Sequence, residues 1–288
     1  MINGFRKEMM FFSRGGRLVA LILVMLGLAL MSPLLYGAMS ELMTTLKDAL
    51  PDDESYSQLI ELYSSFSASD MIMYNVEQLT GVGSIVILFL FKGAAGGEQK
   101  KRSVIIPQCA GLTAEKYVIP KYVIYPLVVF ASAFVSMTAG AGVSLLIFPG
   151  DVKWDMVMLS SLCTGVYLAF STVLQFCIGL CTGRSNLAIV SVILTNMFLP
   201  SILGFFRVDR FNPFALSSIA MNAAINSGKS ANKLLAAAGT VSTSNDISAL
   251  NIIVSLGTAL VISVILFFLT IFTLHTKEVH NEGDEPVL

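Results

Sequence analysis

Charge is what this sequence lacks. Of its 288 residues only 13% are Asp, Glu, Lys or Arg and 55% are hydrophobic, with a mean hydropathy of +0.76, which excludes an ordinary soluble domain. Five stretches, Leu18 to Ser40, Tyr122 to Phe148, Met156 to Gly183, Ser185 to Phe206 and Ile247 to Leu274, contain no acidic or basic side chain, and a shorter sixth is Gln78 to Phe91. Each of the five reaches the roughly 20 apolar residues with which an α-helix crosses a bilayer. Lipid offers the backbone no hydrogen bonds, so such segments must be helices.

Cysteine is scarce too, with four in the chain and none in the outer loops, so no disulfide is expected. Cys163, Cys177 and Cys181 share one apolar stretch without a His or carboxylate beside them, which argues against a metal there. His275 and His280 stand at the last membrane exit and in the tail, outside any motif. The nearest P-loop match, Ala223 to Ser230, has Ala for its first Gly, no strand before it and a place on the outer side. No nucleophile, base and orienting group can be grouped. The chain is therefore expected to be no enzyme and to bind no cofactor or metal, and no nucleic-acid partner is expected.

What is present reads as an all-α integral membrane protein, one domain over 1–288 with about six transmembrane helices. The expected layout is an interfacial helix at 1–16, spans at 17–40, 71–92, 121–148, 155–183, 185–206 and 249–275, and a tail at 276–288. Outer segments at 41–70 and 207–248 carry short helices, the first with Leu42, Leu46, Ala49 and Leu50, then Leu59, Leu62, Tyr63 and Phe66, at helical spacing. With both termini in the cytosol, basic residues divide 12 inside to 6 outside. The first apolar run exceeds the roughly 7 to 15 residues of a signal h-region and is expected to be retained. Phe5, Met9, Met10 and Phe12, mixed with Arg6, Lys7, Glu8 and Arg14, suit a helix in the inner headgroup layer with its basic groups facing lipid phosphate. Arg184 leaves spans four and five almost no connecting chain, so they should form a tight hairpin.

Ion-coupled carriers keep ionisable groups deep in the membrane, and the five long stretches have none. Their polar members Gln175, Asn196, Thr164, Thr172 and Thr195 suit interhelical hydrogen bonds, and Gly179 with Gly183, like Gly140 with Gly142, suits close helix packing.

The link at 93–120 is the most distinctive part. Gly93, Gly96 and Gly97 permit a sharp turn, Lys100, Lys101 and Arg102 form a basic cluster before Val104, Ile105 and Ile106, and Pro107 stops any helix formed there. One reading is a topogenic loop obeying the positive-inside rule. The other is a helix that docks in a groove on a soluble partner.

Glu98, Pro107, Gly111, Leu112, Thr113 and Lys121, in that order between two spans, resemble the ABC-2 type permeases. In place of the Gly-Thr dipeptide often found after that family's Glu, this chain has Gln and basic residues, and Ala follows Thr113 where Arg is common. The resemblance implies that this link, with Lys101 and Arg102, is the coupling segment that contacts a cytosolic ABC ATPase holding ATP and Mg. It also implies a second permease copy or homologue, and a bacterial plasma-membrane location among lipid. Spans two and five line the pathway in similar proteins, which points to Phe89, Asn196, Phe198 and Phe205. The function so implied is ATP-driven export of an amphipathic or hydrophobic substrate by alternating access. The alternative is a non-transporting anchor or sensor that recruits a cytosolic protein.

Overall fold

The computed structural model describes residues 2–49, 66–98, 113–205, 211–228 and 249–283. Among these residues the chain is almost entirely helical, and six helices are long and apolar enough to cross a membrane. Helix α1, Ile2–Arg14, ends at Gly15 and Gly16, and Gly16 takes a left-handed φ of 64° that turns the chain into α2, Arg17–Ala49. Expected to stop near Ser40, α2 continues because Glu41, Leu42 and Met43 are good helix formers. The stretch read as the first short outer helix is thus, as far as Ala49, the end of α2; Leu50 and the second, around Leu59 to Tyr63, lie outside the described residues.

Helix α3, Ala68–Leu90, starts within the segment read as outer loop. The Asp70 carboxylate accepts the Ser67 N–H at 2.9 Å and the Ser67 hydroxyl at 2.6 Å, placing a negative charge where unpaired helix N–H groups favour it. A π-helical turn, Leu79–Gly83, interrupts α3 midway. After Leu90 a second π turn, Gly93–Gly97, carries the chain to Glu98.

Helix α4, Ala114–Ile147, begins seven residues before the expected Lys121. Pro120 does not stop it, but having no N–H it leaves the Lys116 carbonyl without its helical donor. There α1 fits closely: a Cβ on Gly4 would lie 3.1 Å from that oxygen and 3.2 Å from Pro120 Cγ. Helix α5, Trp154–Thr182, ends at Gly183, whose left-handed φ of 67° lets its N–H reach the Gly179 carbonyl at 2.9 Å. Helix α6, Ser185–Phe205, begins two residues later, closing a tight hairpin.

Asn212 opens α7, Ala215–Ser227, its side-chain oxygen accepting the Phe214 N–H at 3.0 Å. Helix α7 is packed inside rather than laid on the surface: Leu216, Ala220, Ala223 and Ala224 are buried, and the Ser160 hydroxyl of α5 donates to the Ala220 carbonyl at 2.8 Å. Helix α8, Ala249–Gly283, runs past the expected exit at 275. In the most apolar window of each helix, 67% of α5 is buried within the chain against 11% of α8. Helix α5 is therefore the axis of the bundle, and α8 lies at its edge.

Candidate functional site

Residues 93–98, the root of the link between α3 and α4, are held from two sides. On one side stands Lys121, fully buried, its ammonium 3.1 Å from Glu98 Oε2 and 3.3 Å from Glu8 Oε1 and donating to the Ala94 carbonyl at 3.3 Å. Tyr117, Lys121 and Tyr125 follow at four-residue spacing and so share one face of α4. The Tyr117 hydroxyl donates to Glu98 Oε2 at 2.9 Å, and the Tyr125 hydroxyl to Glu8 Oε2 at 3.0 Å. Three distant segments, α1, the α3 exit and α4, thereby meet on one ammonium.

Rings roof this cluster: Tyr125 lies 5.2 Å from Phe12, 5.0 Å from Phe91 and 4.9 Å from Phe176 between centroids. Excluding water strengthens the attraction between the charges and raises the cost of leaving one unpaired. Burial pushes the Glu98 carboxyl up, but the Lys121 charge, then Lys7, and hydrogen bonds from Lys121 and Tyr117 outweigh it and hold the group below its ordinary value. The Lys121 ammonium also lies 4.9 Å from the Tyr117 ring centroid and that of Lys7 6.0 Å from it. Arg17 stacks 4.2 Å over Phe11, with one buried guanidinium nitrogen lacking a hydrogen-bond partner.

On the other side the turn meets α5 backbone to backbone. A Cβ on Gly179 would fall 1.6 Å from the Ala95 carbonyl oxygen, and one on Gly96, at φ 157°, would fall 2.8 Å from the Gly179 oxygen and 3.3 Å from Ser185 N. Only glycine fits. Gly179 thus packs while Gly183 terminates α5, so the pair expected to share a packing role divides the work. Beside this contact the Gln175 amide donates to the Leu88 carbonyl at 2.6 Å, in the last turn of α3 where carbonyls lose their helical donors.

A cavity of about 200 Å³ lies between α3, α5 and α6 at the π turn, with Thr80, Ser84, Ser171 and Asn196 supplying its polar lining. The Asn196 amide donates to the Tyr167 hydroxyl. Of the four residues expected to line a pathway, Asn196 faces this cavity, whereas Phe89, Phe198 and Phe205 are 57%, 58% and 84% exposed on the outside of the chain.

Of the expected coupling residues, Glu98 and Lys121 come together, and Thr113 is exposed just before α4, its carbonyl accepting the Tyr117 N–H at 3.2 Å. Lys101, Arg102, Pro107, Gly111 and Leu112 lie outside the described residues. The five uncharged stretches do not foretell a buried charge, yet α4 starts before its own stretch and carries Lys121 inward as part of a long helix. Glu8, Tyr117 and Tyr125 were not singled out from the sequence. The available signals were the Tyr-Lys-Tyr spacing and a lone acid between Gly4 and Phe12 on an otherwise basic helix. Among the described residues, no group of three or more His, Cys, Asp or Glu converges in a way that could hold a metal ion. No family model, no curated protein and no solved structure matches this chain.

Proposed function

We propose that this chain is the permease subunit of an ATP-driven transporter of the ABC-2 type. The observation that carries the reading is the ion pair between Glu98 and the buried Lys121, which ties together the two sides of the intervening link at 99–112. A clamped root passes force arriving through the link on to α1, α4 and α5 instead of yielding to it. Ring burial at the root and the glycine contact with α5 supply the stiffness that such a clamp needs. In this reading the root faces the cytosol, a separate ATPase receives Lys101, Arg102, Pro107, Gly111, Leu112 and Thr113, and a second permease completes the pathway. The exposed Phe89, Phe198 and Phe205 then face that second subunit, and the small, mostly apolar cavity at Asn196 opens beside it. Such a path suits export of an amphipathic or hydrophobic substrate in a bacterial plasma membrane.

The test is affinity purification of the full chain from its native membrane in mild detergent. An ABC ATPase is expected in the eluate, at least tenfold depleted when Lys101 and Arg102 are both changed to Glu or when Gly111→Trp is introduced; a tenfold loss corresponds to about 1.4 kcal/mol of contact energy. Absence of any ATPase from the wild-type eluate sinks the reading. An ATPase whose hydrolysis ignores added lipid and amphipathic compounds points instead to an anchor or sensor subunit.

A further inference from the structure

The face of α1 that the bundle leaves open carries one sign of charge. Arg6 and Lys7 are exposed together with Met9, Met10 and Phe11, whereas Glu8, the helix's one acid, is turned inward onto Lys121. Withdrawing the carboxylate leaves a surface of cations and bulky apolar groups. Such a face complements an anionic lipid surface, the apolar side chains entering the acyl boundary and the cations meeting phosphate. Lys7 also looks toward the cluster, its ammonium 6.0 Å from the ring centroid of Tyr117, which itself donates to Glu98.

We propose that anionic lipid under α1 regulates the cluster: by holding α1 against the bundle it keeps Glu8 on Lys121 and so fixes the turn at 93–98. The proposal rests on the permease reading only in treating that turn as the root of a coupling segment. In a zwitterionic bilayer each lipid phosphate is already neutralised by its own choline, so α1 loses the net attraction of the surface for Arg6 and Lys7, Glu8 leaves Lys121 more often, and the turn loosens.

The full chain is reconstituted in nanodiscs of phosphatidylcholine alone or mixed with phosphatidylglycerol. Because Trp154 is the one tryptophan in the sequence, a Trp154→Phe, Met10→Trp variant reports only on α1. Brominated phosphatidylglycerol is expected to quench it more strongly than brominated phosphatidylcholine at equal mole fraction, and Arg6→Gln with Lys7→Gln removes the difference. Hydrogen exchange of the amides at 93–98 and 117–125 is expected to be about fivefold slower in the anionic discs. Glu8→Leu abolishes that lipid dependence while leaving the quenching; should it fail to fold, Arg6→Gln alone, an exposed position that touches no member of the cluster, decides by weakening the lipid dependence of exchange. Equal quenching by the two lipids, or exchange indifferent to lipid charge, overturns the proposal. No ATPase is needed, so a lipid response in a chain that captures no ATPase sinks the permease reading alone, and ATPase capture with lipid-independent exchange sinks this one alone.

Discussion

The turn at 93–98 is gripped from two sides by opposite means. Toward α1 and α4 it is held by attraction, with one ammonium shared between two carboxylates and a carbonyl inside an aromatic shell. Toward α5 it is held by absence, two glycines letting backbones meet where any side chain would collide. The first grip can be weakened by degrees, because each partner contributes a finite share. The second has no intermediate setting, since a Cβ placed 1.6 Å from an oxygen forces helices apart.

The sharpest way to break this contrast is Gly179→Val, expected to abolish the folded protein, as read by loss of the monodisperse peak in fluorescence-detected gel filtration. Retained folding would mean that α5 and the turn are not in register as described. Next in size is Lys121→Met, which strands the buried Glu8 carboxylate and the partly buried one of Glu98 and should cost about 3 kcal/mol in denaturant-monitored stability. Glu8→Gln keeps the shape and a hydrogen-bonding oxygen, so about 1–2 kcal/mol is expected. Combined with Lys121→Met it should be non-additive by at least about 0.5 kcal/mol, and simple additivity would show that the two groups do not interact.

The charged side has a pH signature that the glycine side lacks. Because the folded protein holds Glu98 below its ordinary 4.5, its contribution is fully present above that pH and is lost as pH falls through the lower folded-state value. Acid titration of Glu98→Gln should therefore be flatter than wild type below about pH 4.5, and parallel curves would remove Glu98 from the cluster's energetics. The smallest effect belongs to Gln175→Leu. It forfeits the bond to Leu88 but also removes a buried amide oxygen that has no partner, so the net change should stay within about 1 kcal/mol.

The same contrast explains what the sequence made legible. Uncharged runs located all six long helices, because the hydrocarbon core tolerates little else. Their ends were less legible: α2, α4 and α8 overrun the apolar stretch by several residues, since helix propensity continues where hydrophobicity stops. Glu98 and Lys121 were found through a family resemblance. Glu8 was missed because an acid among arginines and methionines on an amphipathic helix reads as one more group facing water or headgroups. Its inward angle goes with Gly4 seating against Lys116 and Pro120 of α4, which no local pattern announces. Asn196 was separated from Phe198 and Phe205 only by the helix's rotation against α5.

By itself the amino-acid order determined the solvent of this protein and the number of helices able to cross it, because both depend on the length of uncharged chain. Only the tertiary structure decided where the remaining charge goes. Glu8 and Lys121 are far apart along the chain, and an ion pair is a matter of distance in space, set by how α1 turns back at Gly16 and how early α4 begins.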